Sequence, residues 1–165
     1  MKRVLVVLIA VAGCKSVPSD WSDKKPVTQT VKQPELTYSI DIPDGLPKDD
    51  RNVGDWSDAR VEYDKTPKVF TSVYPLEMPK TLDEASREAS LHPDKANFVR
   101  KDQRPDGWAF TDAPADKHRI EVSVLKSMGG KIVKCTAVQV MEDELPSYDK
   151  TKAMLEAICD SLKAK

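Results

Sequence analysis

The sequence is poor in the residues from which most catalytic and metal sites are built. Its 165 residues include two histidines and three cysteines, and they contain no Gly-x-Ser-x-Gly pentapeptide and no Cys-x-x-Cys pair. Zinc-ligand spacings and an EF-hand loop are also missing from the sequence. A hydrolase needs a nucleophile, a base and an orienting group, and no motif indicates such a set. The sequence therefore predicts no catalytic residue, no metal site and no cofactor.

The two histidines and the nearby oxygen donors have structural explanations. His92 follows a predicted helix, where it can interact with exposed carbonyls, and His118 begins a predicted strand. Asp112, Asp116 and His118 form the one local group of mixed oxygen and nitrogen donors, but their spacing is more typical of turns that keep a loop solvated. We therefore predict no metal ligand in this group.

An excess of charge of one sign is also lacking. The chain has 26 basic and 27 acidic residues, a formal net charge of −1, and the two signs are interspersed along the sequence. No basic groove or acidic tail is indicated, so the sequence predicts no nucleic-acid partner. A solvated surface explains most of the charges.

Long hydrophobic runs are absent, apart from one run of eight residues, 4–11, near the start of the sequence. Eight residues are too few to span a bilayer. The run follows two basic residues and precedes the small residues Ala12 and Gly13, which is the pattern of an export signal. The sequence therefore predicts a signal peptide over residues 1–13.

The tetrapeptide at residues 11–14 (VAGC) resembles the lipobox of bacterial lipoproteins. This resemblance implies that the Cys14 thiol is diacylated, that the chain is cut before Cys14 and that the new amine is acylated. Three acyl chains exceed the two signals that stable membrane anchoring requires. Because Lys15, and not an aspartate, follows the anchor, the outer membrane of the bacterial envelope is favoured over the inner membrane. The alternatives are an ordinary signal peptide or a buried strand with an incidental cysteine.

A polar segment follows the predicted anchor. Residues 15–35 contain three prolines and no sustained apolar period, so residues 14–35 are predicted to form a lipidated N-terminus and a flexible tether. Trp21 is the only aromatic residue of this segment, and it suits either an interfacial anchor or a plug on the domain surface. Residues 36–165 are predicted to form a single domain that is large enough for a core of its own.

Two cysteines remain beyond the predicted anchor. Cys135 lies in an alternating run typical of a strand, and Cys159 lies in a helical run beside the apolar residues Leu155, Ile158 and Leu162. In an oxidising periplasm, a helix packed on that strand could bring the two sulfurs together, and we predict a disulfide. Two buried free thiols that fill space are the alternative.

Alternating apolar residues predict most of the strands. Residues 36–42 alternate and stop at a Pro-Asp-Gly turn. The strongest strand signals are residues 118–126 and 132–141, which are joined across Gly129 and Gly130, a pair suited to the positive φ angles of a tight hairpin turn. Two further antiparallel pairs are predicted, one of residues 59–63 with 68–74 and one of residues 98–101 with 108–111.

Two helices are predicted from their start signals. Thr81 and Glu84 match the capping-box pattern, which begins a helix that extends to about residue 91. Ser147 is a good N-cap for a final helix that extends to residue 162. Apolar residues of this final helix keep a three-to-four spacing, so one stripe is expected to pack on the sheet.

The order of these elements is an α+β pattern, and three segments resemble the PsbP/Mog1 group, which includes the DcrB-like lipoproteins of bacteria. The segments are residues 38–45 (YSIDIPDG), residues 106–111 (DGWAFT), and Cys135 together with residues 157–162 (AICDSL). The resemblance implies an antiparallel sheet of about five to seven strands packed by two main helices. Members of this group often act as accessory or assembly factors. Because one fold hosts unrelated functions, the resemblance supports the fold more than an activity.

These patterns favour a non-enzymatic envelope lipoprotein whose domain binds a protein or another envelope component. The alternative is a small-ligand carrier or an envelope enzyme that uses a pocket between the sheet and the helices. Trp56 and Trp108 could line a groove for a ligand, although core packing is favoured for both. A deep pocket with convergent polar side chains would support the alternative, whereas a filled core with an apolar surface patch would support partner binding.

Overall fold

The computed structural model describes residues 21–57, 66–74, 77–90, 92–141 and 147–165. Cys14, the lipobox and the predicted strand at residues 59–63 lie outside the described residues. No helix in the described part of the chain is long and apolar enough to cross a membrane.

The helices are α1 (Leu82–Ala89) and α2 (Tyr148–Asp160), and single 3-10 turns lie at Trp21–Asp23 and Pro93–Lys95. The strands are β1 (Pro26–Lys32), β2 (Thr37–Pro43), β3 (Asp55–Trp56), β4 (Lys68–Tyr74), β5 (Phe98–Arg104), β6 (Gly107–Asp112), β7 (Arg119–Met128), β8 (Lys131–Val140) and β9 (Lys163–Ala164).

The strands form two antiparallel sheets, and the α+β prediction is confirmed. The larger sheet has six strands in the order β3-β4-β8-β7-β6-β5, and the smaller sheet has three in the order β1-β2-β9. The predicted hairpin is the centre of the larger sheet: β7 and β8 pair over ten residues each, and a turn of two residues joins them. Gly129 and Gly130 occupy that turn with φ angles of 55° and 75°, which glycine adopts without a steric penalty.

The predicted tether is wrong from Pro26 onward, because this polar segment contains β1. All seven residues of β1 pair with β2, from Pro26 opposite Pro43 to Lys32 opposite Thr37. Val31 is the only buried residue of the strand. An edge strand needs little apolar surface, since one neighbour pairs with half of its backbone groups, water can hydrate the rest, and its β-branched threonines fit an exposed pleat. Polarity alone therefore did not distinguish this strand from a flexible linker.

One face of the larger sheet packs against α2 and the smaller sheet. The predicted stripe of α2 is buried there, together with apolar residues of β2 and β8. Cys135 on β8 and Cys159 on α2 are both fully buried, and a disulfide joins them with their Cα atoms 5.5 Å apart. The predicted disulfide is confirmed in this structure. Trp56 belongs to the same cluster, which we call the main core.

The opposite face of the larger sheet packs against α1. The predicted capping box is present: the Thr81 side chain accepts a hydrogen bond from the Glu84 backbone, and the Glu84 carboxylate accepts one from the Thr81 backbone. Ala85 and Ala89 are buried by this packing, because alanines on the inner face let the helix approach the strands closely. We call this second cluster the α1 core; its strand residues are Trp108, Phe110, Leu125 and Ile132. Both Trp56 and Trp108 are therefore core residues.

Candidate functional site

A groove of about 360 Å³ lies between α1 and the strands β4, β7 and β8. It opens on the face of the larger sheet that α1 covers only in part, because α1 has eight residues and spans little more than two turns. Its lining residues are Tyr74, Glu77, Pro79, Glu84, Arg87, Glu88, Leu125, Ile132 and Lys134. We call it the α1 groove.

The floor of the α1 groove is apolar and belongs partly to the α1 core. Leu125 and Ile132 are buried, whereas Tyr74, the last residue of β4, is 37% exposed. Tyr74 lies opposite Ile132 in the pairing of β4 with β8, so the two side chains share one face of the sheet. Pro79 forms the wall, and its carbonyl accepts a hydrogen bond from Trp108 Nε1 at 3.0 Å. A core residue thus fixes the segment that leads into α1.

The rim of the α1 groove carries charges of both signs. Glu84 accepts hydrogen bonds from the backbone of Lys80 at 2.9 Å and of Thr81 at 3.3 Å, and these bonds lower the pKa of its carboxyl. Glu77 lies 3.6 Å from the Lys80 ammonium, and both side chains are exposed. Arg87 is exposed in the last turn of α1. The groove therefore joins an apolar floor to a rim of charged side chains of both signs.

Lys134 provides the cation at the inner edge of the groove. Its ammonium donates a hydrogen bond to the backbone carbonyl of Glu88, and Ser123 Oγ donates one to the carbonyl of Ala89 at 2.5 Å. The last carbonyls of a helix have no partner within the helix, so these two strand side chains satisfy them. Burial lowers the pKa of Lys134, while the negative charges of Glu121 and Glu88 oppose that shift. The main task of Lys134 is to hold α1 on the sheet.

The described lining of the α1 groove combines apolar side chains with charged ones. Among the described residues, the lining contains carboxylates, a guanidinium, an ammonium and a phenol, but no histidine, serine or cysteine. A serine or cysteine nucleophile beside a base is not among the described lining residues. An apolar floor with a polar rim instead matches the anatomy of a protein-binding patch.

The residues that the sequence singled out as oxygen and nitrogen donors do not form one site. Asp112 is buried, pairs with Arg119 Nη2 at 2.6 Å and accepts a hydrogen bond from the Asn97 backbone at 2.6 Å. Asp116 and His118 contact each other at the exposed surface. Across the part of the chain that the structure describes, no group of three or more histidine, cysteine, aspartate or glutamate residues is arranged to hold a metal ion.

Other sequence expectations meet the structure at different places. Trp21 packs against the main core beside α2, which matches the plug and not the interfacial anchor. Sequence reasoning named a pocket between the sheet and the helices only as an alternative, and it identified none of the residues that line the α1 groove. One available signal was Lys134, a single charge within the apolar strand run Ile132, Val133 and Cys135. A lone charge in such a run indicates that the charged side chain has a partner on the sheet face opposite to the one where Val133 and Cys135 pack.

The chain is similar in fold to two proteins of known structure. No protein-family model matches the sequence, and no curated protein matches it either. The Ran-binding protein Mog1p of Saccharomyces cerevisiae superposes with a TM-score of 0.58 at 9% identity, over 85% of this chain and 96% of Mog1p. Cyanobacterial PsbP (CyanoP) from Synechocystis sp. PCC 6803 superposes with a TM-score of 0.54 at 14% identity, over 84% of this chain and 92% of that protein. The fold is therefore PsbP/Mog1-like, as the sequence motifs predicted.

Proposed function

We propose that this chain is a lipid-anchored protein of the bacterial envelope whose domain binds a protein partner through the α1 groove and has no catalytic activity. The observation that carries the proposal is the exposed apolar floor of the groove at Tyr74, set against a rim of charged side chains. Large side chains that remain partly exposed beside a polar rim are typical of interaction surfaces.

The fold neighbours add limited support. Mog1p is a Ran-binding protein, so a protein of this fold binds another protein. The main core of the present chain is filled by its own side chains and by the Cys135–Cys159 disulfide. A core filled in this way favours recognition at the surface, where the α1 groove lies. The lipid anchor at Cys14 rests on the lipobox resemblance alone.

A small-ligand carrier is the second candidate, because the volume of the α1 groove falls within the range of about 300–1,000 Å³ that ligand pockets occupy. The two candidates predict different contents of the groove. A carrier purified gently from the envelope would retain a small molecule in native mass spectrometry. A protein-binding module would retain no small molecule, and it would form a crosslinked adduct with a partner chain.

Site-specific photocrosslinking in intact cells tests the proposed function. We expect a photoreactive residue at position 74 to give a protein adduct of discrete mass, because the ring of Tyr74 lines the groove. Position 140 is the matched control: Val140 lies on the same sheet face and is also 37% exposed, but it does not line the groove. Adducts of equal yield at both positions, or none at position 74, would contradict partner binding at the groove.

A further inference from the structure

The two ends of the domain are distinct and can be defined by contacts. At the first end, Lys25 O accepts a hydrogen bond from the Asp44 backbone at 2.8 Å, and Asp23 lies 3.4 Å from the ammonium of Lys150 near the start of α2. We call this the Trp21 end.

At the second end, Glu35 lies 3.1 Å from the ammonium of Lys131. We call this the hairpin end, since it holds the β1–β2 turn and the Gly129–Gly130 turn.

The distance between these ends follows from strand geometry. β1 runs from the Trp21 end to the hairpin end over seven residues, and a strand rises by about 3.3 Å per residue. The ends are therefore at least about 20 Å apart. The α1 groove lies toward the hairpin end, because Ile132 follows Lys131 directly and pairs with Tyr74.

The chain between the proposed anchor and the domain is short. Cys14 precedes Trp21 by seven residues, and seven residues span at most about 25 Å when fully extended. The tether predicted from polarity has 21 residues after Cys14, so the packing of Trp21 against the main core shortens the maximum reach about threefold. This bound depends on covalent geometry alone.

We infer that the Trp21 end of the domain lies against the lipid headgroups and that the α1 groove faces away from the membrane. The inference rests on the proposed lipidation of Cys14. The headgroup surface meets two adjacent exposed lysines, Lys24 and Lys25, at this end. Lysines close to a bilayer are attracted by anionic lipids. Asp23 is partnered by Lys150, which reduces its opposition to that attraction.

The orientation has a consequence for the partner. With β1 upright on the membrane, a groove at the hairpin end stands about 20 Å further from the headgroups than Lys24 does. The partner that this geometry admits is a soluble protein or the extramembrane domain of another envelope protein. This geometry favours such a partner over one buried in the same leaflet, whose surface would lie at the level of the Trp21 end.

Paramagnetic relaxation in nanodiscs tests this orientation. The full chain, purified with its acyl chains, is inserted into nanodiscs that contain a lipid with a gadolinium-chelate headgroup. We expect the amide signals of Lys24 and Asp44 to be lost and those of Glu35 and Gly129 to be retained. Loss at the hairpin end first, or equal loss at both ends, would overturn the inference.

Two controls separate the possible failures. Mass spectrometry of the same sample reports whether Cys14 is acylated; an unmodified Cys14 would overturn the anchor of the proposed function and the orientation together. Acylated protein without end-selective loss would overturn the orientation alone.

A variant with about 20 Gly and Ser residues inserted after Lys15 gains a root-mean-square reach of roughly 25 Å. We expect this variant to lose the difference in signal loss between the two ends. Unchanged selectivity would show that reach does not set the orientation.

Discussion

At the scale of single residues, several polar and charged side chains hold backbone groups in place. Lys134 donates to the end of α1, and Ser161 Oγ, at the end of α2, accepts a hydrogen bond from the Asp41 backbone of β2 at 2.8 Å. Asp112 accepts from the backbone of Asn97 while it pairs with Arg119. Buried backbone groups need such partners wherever a helix or strand ends. These side chains position the elements that they connect.

Replacing Lys134 should loosen α1 without unfolding the domain. The change Lys134→Met keeps the apolar stem and removes the donor to Glu88 O, and a cation at a helix C-terminus contributes about 0.3–2 kcal/mol. We expect urea denaturation to show a loss of about 1 kcal/mol and hydrogen exchange to quicken in α1. Lys163→Met, at an exposed position on β9, is the control. Equal losses in the two variants would contradict the role of Lys134.

Asp49 should show an acid-dependent contribution to stability. The Arg51 side chain and backbone donate hydrogen bonds to its carboxylate at 2.7–3.0 Å, which lowers the pKa of Asp49 from 3.8 to about 2. The folded pKa lies below the unfolded one, so this contribution is present above pH 3.8 and is lost as the pH falls through about 2. We expect NMR titration to give the low pKa, Arg51→Gln to raise it and Arg87→Gln to leave it unchanged. An ordinary pKa in the parent chain would contradict the contact.

At the scale of elements, three kinds of interaction hold α2 on the rest of the domain. Its apolar stripe is buried in the main core, and the Cys135–Cys159 disulfide ties it to β8. Asp160 at its end pairs with Arg100 at 3.0 Å and Arg104 at 2.9 Å, both from the edge strand β5. Because surface ion pairs contribute little individually, we expect burial and the disulfide to dominate the docking of α2.

Removing the disulfide should lower stability markedly. Cys135 and Cys159 are 24 residues apart, and closing a loop of that size stabilises a domain by about 2–4 kcal/mol. We expect the double variant C135S/C159S, in which serine replaces both cysteines, to lower the free energy of unfolding by that amount in urea. Reductant should destabilise the parent chain and leave the double variant unaffected. A reductant effect on both proteins would point to a cause other than this bond.

At the scale of the whole molecule, one sheet serves two cores. Val124 and Leu125 are neighbours on β7, yet Val124 belongs to the main core and Leu125 to the α1 core. Successive strand residues point to opposite faces, so neither core can lose its packing without disturbing the strands of the other. Aromatic packing strengthens the smaller core, where the ring centroids of Phe98 and Phe110 are 5.2 Å apart.

The shared sheet should make the two cores unfold together. Trp56 reports on the main core and Trp108 on the α1 core. In two variants that each retain one of these tryptophans, W21F/W108F and W21F/W56F, we expect the fluorescence transition in urea to coincide with the far-UV circular dichroism transition of the same protein. If the Trp108 transition came at lower urea than the circular dichroism of its variant, the α1 core would be an independent unit.

The sequence alone determined the α+β class, both helix starts, the β7–β8 hairpin and the cysteine pairing. These features depend on local signals: the Thr81 capping box, the Ser147 N-cap and the glycine pair each act within a few residues. The resemblance of the three segments to the PsbP/Mog1 group added the fold, which the structural neighbours confirm.

Only the tertiary structure decided the features that depend on distant contacts. β1 is a strand because β2 pairs with it. Its polar sequence has little apolar surface, so no sequence pattern indicated that it belongs to a sheet. The α1 groove exists because residues from β4, β7, β8 and α1, up to 60 positions apart, meet on one sheet face. Strand pairing at long range is set by the register of the whole sheet, and no local pattern carries that information.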